Sequence, residues 1–120
     1  MISIKFAGAV YMAALSGCYD GDTCTVHFVN FPALVRKQTL RFEGFDTPER
    51  HSPKCAKEAT KAEKARSMTL SYLQGKVILT TNGKFDLYGR LLVRAPELQR
   101  TLLGAGLAKA SPHGRRAYWC

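Results

Sequence analysis

One long helical segment constrains the fold of this chain more than any other feature. Residues 53–74 are rich in Ala, Lys and Glu, which favour helix. Ser52 can cap the N-terminus of this segment, Pro53 suits the first helical position, and Gly75 suits the C-terminal end. Apolar side chains recur near helical spacing at Ala59, Ala62, Ala65, Met68, Tyr72 and Leu73. We therefore expect a helix that packs one face against the rest of the chain.

Short strand-like segments flank this helix on both sides. The segments with a strand pattern are residues 9–19, 26–30 and 39–43 before the helix, and residues 76–80 and 90–94 after it. Residues 31–37 have the composition of a loop, and Pro96 opens a second, shorter helix through about Ala105. Three strands, a helix, two strands and a helix predict an α+β, mainly β fold. This order suits a five-stranded OB-fold barrel with about two or three helices.

The charge balance indicates the class of partner. The chain has 120 residues, the length of one domain, with 18 Lys and Arg against 9 Asp and Glu and a net charge of +9. A small domain this basic tends to bind a polyanion, most often nucleic acid. A basic protein without such a partner is the alternative. No apolar run reaches the length of a membrane span.

The N-terminal residues allow two interpretations. Residues 1–8 resemble an N-terminal extension or a partial signal-like segment, because Lys5 precedes an apolar run. Residues 15–18 also resemble the processing site of a bacterial lipoprotein. The competing interpretation makes residues 9–19 a first strand that leads into a turn, and cleavage before Cys18 would delete that strand. We favour the strand, which leaves residues 9–120 as a single domain.

The cysteines do not point to a metal site. Cys18, Cys24, Cys55 and Cys120 lack the C-x-x-C spacing of metal ligands. An even number of cysteines permits disulfides, and hence an oxidising compartment, but does not require them. Cys18 and Cys24 flank the first predicted hairpin turn, and the loop length that decides whether they share a face is not fixed by the sequence.

Carboxylates gather at two predicted turns, although acidic residues are scarce. Asp20 and Asp22 lie at the end of the first hairpin, and Asp46 and Thr47 follow the third strand. Hard oxygen ligands from two loops suit Ca²⁺ or Mg²⁺ better than zinc. Asp-Gly is also a common hairpin turn in its own right, so the first pair alone indicates little.

Two arginines and one glutamate complete a set of residues suited to phosphodiester hydrolysis. Arg41 and Arg90 can each bind phosphate oxygens through two N–H groups. Glu49 follows the rigid Thr47-Pro48 pair and can take a proton from water. Each of these residues alone is more simply a surface charge. Together with a cation they can stabilise a five-coordinate phosphorus and activate the attacking water.

Three motifs in order resemble the staphylococcal nuclease (thermonuclease) family. The motifs are Asp20-Gly-Asp-Thr23, Arg41-x-x-Gly-x-Asp-Thr-Pro-Glu49 and Asp86-x-Tyr-Gly-Arg90, and Gly106-Leu-Ala108 matches the exit of the family's second helix. The resemblance covers nearly the whole chain from about residue 9. It implies a five-stranded OB-fold barrel, dependence on Ca²⁺, and cleavage of DNA and RNA with little sequence preference. Mg²⁺ or Mn²⁺ stays open as the metal.

The resemblance also implies metal-binding, catalytic and substrate-binding roles. The metal ligands would be Asp22, Asp46 and the main-chain carbonyl of Thr47, and Asp20 would support these ligands without binding the metal. Arg41 and Arg90 would bind the scissile phosphate, and Glu49 would activate water or act electrostatically. Tyr88 would lie near the terminal phosphate of a bound nucleotide. The resemblance further implies a secreted or periplasmic protein, and we expect a monomer.

A bacterial subgroup of the family is similar in further details. These are the stretch YDGDTCTV, the helix start at residues 54–58 and the terminal Trp119-Cys120 pair. This similarity implies that Cys55 and Cys120 lie near each other beside the active-site entrance, as a disulfide or as free thiols. Leu87 stands where the family has a lysine, which removes one candidate phosphate contact. The segment between Arg90 and the second helix is also shorter than in the family, and we expect this to weaken closure of the barrel.

Two alternatives stay open at the level of function. Arg115, Arg116, Tyr118 and Trp119 can supply stacking and backbone contacts to a nucleotide, or they can form a packed basic tail. The whole chain can also be a non-catalytic nucleic-acid-binding module that keeps the barrel and lacks the chemistry. The intact set of acids and arginines argues against that module.

Overall fold

The computed structural model describes residues 1–110 and 117–120. Within these residues the chain forms eight strands and three helices. The strands are β1 (Ile2–Phe6), β2 (Ala9–Asp20), β3 (Thr23–Phe28), β4 (Lys37–Phe42), β5 (Phe45–Asp46), β6 (Ile78–Thr80), β7 (Leu91–Val93) and β8 (Lys109–Ala110). The helices are α1 (Ala33–Arg36), α2 (Ala56–Leu73) and α3 (Pro96–Gly104). The fold is α+β with more strand than helix, as predicted.

Six of the strands form a nearly closed barrel. Their order in the sheet is β6-β1-β2-β3-β4-β7. Strands β1 to β4 pair antiparallel in chain order, whereas β6 and β7 pair parallel to β1 and β4. The two edges meet where the Thr80 N–H donates to the Arg94 carbonyl (3.3 Å) and the Arg94 N–H donates to the Thr80 carbonyl (2.8 Å). The short segment after Arg90 therefore still reaches the opposite edge of the sheet.

Residues 1–8 are not the extension that the sequence suggested, because they contain the first strand of the barrel. Ile2 and Ile4 are each 1% exposed and point into the core. Ala7 and Gly8 have positive φ angles of 50° and 82° and form the two-residue turn that leads back into β2. The alternation of buried and exposed side chains in Ile2–Phe6 covers only five residues, so Lys5 and the apolar residues after it suggested a signal-like segment instead. The barrel accordingly has six strands where five were predicted.

Alternating side chains divide each barrel strand into a core face and an outer face. On β4, Leu40 and Phe42 are at most 1% exposed and fill the barrel, while Arg41 lies between them on the other face. On β7, Val93 is fully buried in the same core. This alternation places Arg41 on the outside of the barrel, where a ligand can reach it.

Helix α2 packs on β2 and on the turn that follows it. Its buried side chains keep helical spacing at Glu58, Ala62, Ala65, Thr69 and Leu73. The Thr69 Oγ1 donates to the Gly21 carbonyl, and the Arg66 Nε donates to the Cys18 carbonyl, both at 2.7 Å. The helix is thus bonded to the hairpin that carries Asp20 and Asp22.

Helix α2 begins later than Ser52 and Pro53 suggested. Its N-cap is Cys55, whose Sγ accepts the Glu58 N–H at 3.4 Å. The Glu58 carboxylate in turn accepts the Lys54 N–H at 2.7 Å. This is the spacing of a capping box with cysteine at the N-cap in place of serine or threonine. Cys55 and Glu58 thus supply the hydrogen bonds at the start of the helix, and Ser52 and Pro53 lie before its N-cap.

Sequence reasoning missed one short helix and two short strands. Helix α1 lies in the segment 31–37 that was predicted as a loop. Strands β5 and β8 form a separate two-stranded sheet, in which Phe45 pairs with Ala110 and Asp46 with Lys109. The second pair fixes the backbone of Asp46. In the described part of the chain, none of the helices has the length and apolar character needed to cross a membrane.

Candidate active site

A disulfide closes the turn that carries the first two predicted site residues. Cys18 and Cys24 are register partners on β2 and β3 and are bonded to each other. Between them, Asp20 and Asp22 are each 5% exposed. The Asp20 Oδ1 accepts the backbone N–H of Arg50 at 2.9 Å, which links this turn to the segment after Glu49.

Asp22 and Asp46 converge on one guanidinium group. The Arg41 Nη1 lies 3.3 Å from the Asp22 Oδ2, and the Arg41 Nη2 lies 2.5 Å from the Asp46 Oδ1. The Asp22 carboxylate also accepts the Thr23 hydroxyl at 2.9 Å and the Thr47 N–H at 3.1 Å. The structure therefore brings together four residues that the sequence assigned to this site, namely Asp22, Arg41, Asp46 and Thr47.

The backbone after β4 wraps around the Arg41 side chain. The Arg41 Nη1 donates to the carbonyls of Phe42 (2.8 Å) and Phe45 (3.1 Å). Gly44, with a φ of 93°, supplies the left-handed residue that turns the chain between them. With the bond to Asp46, three of the five N–H groups of the guanidinium are used within the described residues. The other two N–H groups donate no hydrogen bond within the described residues.

Asp86 holds Arg90 in a tight turn. The Asp86 Oδ1 accepts the N–H groups of Tyr88 and Arg90, both at 2.9 Å, and its Oδ2 accepts the Arg90 Nε at 2.5 Å. The Arg90 guanidinium carbon lies 5.3 Å from the centroid of the Tyr88 ring. These bonds fix Arg90 through its Nε and its backbone N–H.

Two opposing effects set the pKa of Asp86. Burial raises the pKa of this carboxyl, but the hydrogen bonds from the Arg90 backbone, the Arg90 guanidinium and the Tyr88 backbone outweigh it. The net pKa lies below the usual value of an aspartate. Asp86 is therefore a carboxylate at neutral pH and keeps its ion pair with Arg90.

One pocket of about 360 Å³ contains both arginines. Its lining residues are Arg41, Phe42, Glu43, Gly44, Phe45, Asp86, Arg90 and Leu92. The parallel pairing of β4 with β7 explains why Arg41 and Arg90 lie at the same pocket, because Arg41 is the register partner of Leu92, two residues after Arg90. Two predicted phosphate ligands that are far apart in sequence thus lie at one cavity.

Glu49 belongs to the neighbouring loop and is not among the residues that line this pocket. Its backbone N–H donates to the Glu58 Oε2 at 3.2 Å, and the preceding Thr47 N–H is bonded to Asp22. Glu49 is half-buried. The hydrogen bond from Thr47 connects the loop of Glu49 to the carboxylates around Arg41.

The donor set around Arg41 fits a hard divalent cation. Asp22 and Asp46 supply buried carboxylate oxygens. Thr47, whose main-chain carbonyl was the predicted ligand, also has a buried hydroxyl with no hydrogen-bond partner among the described residues. No group of three or more His, Cys, Asp or Glu side chains suited to a metal occurs in residues 1–110 and 117–120. A cation here would be held by two carboxylates and Thr47, as oxygen-preferring Ca²⁺ or Mg²⁺ allows.

The charged side chains of the candidate site form ion pairs with one another. Two guanidinium groups, Arg41 and Arg90, contact three carboxylates, those of Asp22, Asp46 and Asp86. These five groups together carry a formal net charge of −1. A divalent cation beside Asp22 and Asp46 would reverse that sign.

The turn and the C-terminal residues differ in exposure. Leu87 and Tyr88, at the tip of the turn, are 100% and 83% exposed. Trp119 is 5% exposed, and its ring lies 4.6 Å from the Lys109 Nζ and 5.7 Å from the Lys61 Nζ. Trp119 is thus packed, whereas Tyr118 is 67% exposed. Arg115 and Arg116, for which nucleotide contacts and a packed basic tail both stayed open, lie outside the described residues.

Sequence reasoning missed Glu58. This residue is 5% exposed and bonds the loop of Glu49 to the start of α2. The C-x-x-E spacing from Cys55 could have identified it. Cys55 and Cys120 are close, as expected, and form a disulfide, the first of the two alternatives.

No family model matches the chain, and no curated protein matches it significantly.

Proposed function

We propose that this protein is a metal-dependent nuclease of the staphylococcal nuclease type, with an OB-type barrel, that hydrolyses phosphodiester bonds in DNA and RNA. One observation carries the proposal. Arg41 and Arg90 line a single pocket, and Arg41 also bridges the carboxylates of Asp22 and Asp46. A phosphate in this pocket would meet two guanidinium groups next to a site for a hard cation.

The two arginines have geometry suited to a phosphoryl group. Each guanidinium is held by a carboxylate on one side, Arg41 by Asp46 and Arg90 by Asp86. Their orientation is therefore set before a ligand binds. Preorganised donors stabilise the extra negative charge of a five-coordinate phosphorus without a reorganisation cost.

Ca²⁺ is the proposed metal, with Mg²⁺ or Mn²⁺ as alternatives. Asp22, Asp46 and Thr47 would hold it, and when bound it would polarise the phosphate and neutralise its charge. Glu49 would accept the proton of the attacking water or stabilise the same charge electrostatically. Its carboxylate would act from the loop that the Thr47 N–H joins to Asp22.

We infer the substrate class from the charge of the chain and from the arginines of the pocket. A net charge of +9 favours polyanions, and the pocket offers guanidinium groups to phosphate rather than side chains to base edges. We therefore propose cleavage of both DNA and RNA with little sequence preference. Two disulfides suit a secreted or periplasmic protein, and we propose a monomer.

The direct test measures cleavage of labelled single-stranded DNA and of RNA by the purified protein, in Ca²⁺ and in excess chelator. The proposal predicts cleavage of both polymers in Ca²⁺ and loss of cleavage in chelator. A folded protein that binds both polymers but cleaves neither in Ca²⁺, Mg²⁺ or Mn²⁺ would be the non-catalytic binding module instead.

A further inference from the structure

Glu58 is a buried carboxylate that bonds the loop of Glu49 to helix α2. Its Oε2 accepts the Glu49 N–H at 3.2 Å and its Oε1 accepts the Lys54 N–H at 2.7 Å. Its own N–H donates to the Cys55 Sγ at 3.4 Å. Both carboxylate oxygens are thus used to hold backbone that lies outside the helix, at the helix end where negative charge is favourable.

The capping cysteine is itself held from the other end of the chain. Cys55 forms a disulfide with Cys120, 65 residues later. The residue before Cys120, Trp119, is buried and its ring lies 5.7 Å from the Nζ of Lys61 on α2. The C-terminal residues therefore lie along the first turns of α2 and fix the N-cap.

We propose that Glu58 is a positioning residue for Glu49, and that the Cys55–Cys120 disulfide keeps it in place. The catalytic consequence rests on the proposed nuclease function. In the oxidised protein the N-cap is fixed, and Glu58 holds the backbone of Glu49 in the loop beside the site. Reduction of this disulfide frees the N-cap and loosens the loop, so the same protein is a slower enzyme under reducing conditions.

The kinetic test uses Glu58→Ala and Cys120→Ser, singly and together, in steady-state cleavage of single-stranded DNA with Ca²⁺. Each single change is expected to lower kcat roughly 10- to 100-fold while KM changes little, because the loop is misplaced and the phosphate ligands are not. The kcat of the double variant is expected to be no lower than that of the less active single variant, since both changes act through one connection. Losses that multiply would overturn the proposal.

A matched control separates positioning from general loss of stability. Leu102→Val removes one methylene from a fully buried side chain on α3. At a temperature where all variants are folded, this control is expected to keep the parental kcat despite a lower Tm. An equal fall in kcat for Leu102→Val and Glu58→Ala would show that Glu58 acts only through global stability, and it would overturn the positioning role.

Amide hydrogen exchange tests the connection without any nuclease activity. The N–H groups of Glu49 and Lys54 should be protected in the oxidised parent and exchange at least about tenfold faster in Glu58→Ala and in Cys120→Ser. The N–H of Val26, in the barrel core, should be unaffected. Unchanged exchange at Glu49 would overturn the inference, whereas a parent that protects Glu49 but cleaves nothing would overturn only the proposed function.

Discussion

At the scale of single residues, Gly21 shows how closely the acidic turn is packed. A Cβ added to Gly21 would lie 2.9 Å from the Cβ of Ala65 and 3.0 Å from the Cγ2 of Thr47. We expect Gly21→Ala to lower the free energy of unfolding by about 1–3 kcal/mol, as overpacking does. Urea unfolding checks this value. Gly17→Ala on the preceding strand β2 is the control, because nothing lies within 4 Å of the added Cβ. Equal effects of the two changes would contradict this account.

Asp86 gives a prediction for the dependence of stability on pH. Because its pKa in the folded protein lies below its unfolded value, the carboxylate stabilises the fold above about pH 4, and this stabilisation is lost as the pH falls through the folded-state pKa. Asp86→Asn keeps an oxygen that can accept the N–H groups of Tyr88 and Arg90 but removes the charge. The parent should be more stable than this variant by about 0.5–1 kcal/mol at pH 7. Thermal unfolding from pH 7 to pH 2.5 should show the difference shrinking in acid, and a constant difference would be inconsistent with this role.

At the scale of elements, the packing of α2 on the first hairpin depends on Thr69. Its hydroxyl is buried and donates to the Gly21 carbonyl at 2.7 Å. Thr69→Val should destabilise the protein by about 1–2 kcal/mol, since a buried carbonyl loses its partner. Thr60→Val is a matched control on the same helix, because the exposed Thr60 bonds only the Ala56 carbonyl. Chemical unfolding should show a much smaller change for Thr60, and a similar change at both positions would count against the anchoring role of Thr69.

The elements also show what a sequence can and cannot predict. Alternation identified β4, so Arg41 on its outer face was predictable, and the helix between the strands was evident from its composition. Strand β1 was missed because only two alternating isoleucines mark it, and Lys5 before an apolar run suggested a signal-like segment instead. The start of α2 was misplaced because Glu58 bonds backbone outside its own helix. Local patterns thus predict elements, whereas bonds between elements decide where they end.

At the scale of the whole molecule, long-range pairing builds the candidate site. The motifs predicted that Asp22, Asp46, Arg41 and Arg90 belong together, but only the pairing of β4 with β7 brings Arg90 to the pocket of Arg41. The role of Glu58 required the same three-dimensional information. Sequence reasoning therefore predicted which of these residues lie together better than it predicted the contacts that hold them in place.

The two disulfides should contribute unequally to global stability. They join residues 6 and 65 positions apart, and loop closure predicts about 2 kcal/mol for the short link and about 4 kcal/mol for the long one. Replacing Cys55 and Cys120 by serine should therefore lower the urea midpoint more than replacing Cys18 and Cys24. The opposite order would show that the long disulfide crosslinks a segment that unfolds independently.

The most direct test of the central claim compares initial rates of single-stranded DNA cleavage in Ca²⁺ for the parent, Glu49→Ser, Arg90→Ala and Arg94→Ala. Arg94 is the matched control, because its exposed side chain lies outside the pocket. We predict losses in kcat of roughly 100-fold or more for Glu49→Ser and Arg90→Ala, and a rate within about twofold of the parent for Arg94→Ala. Parental rates in Arg90→Ala, or equal losses in all three variants, would contradict a nuclease site at this pocket.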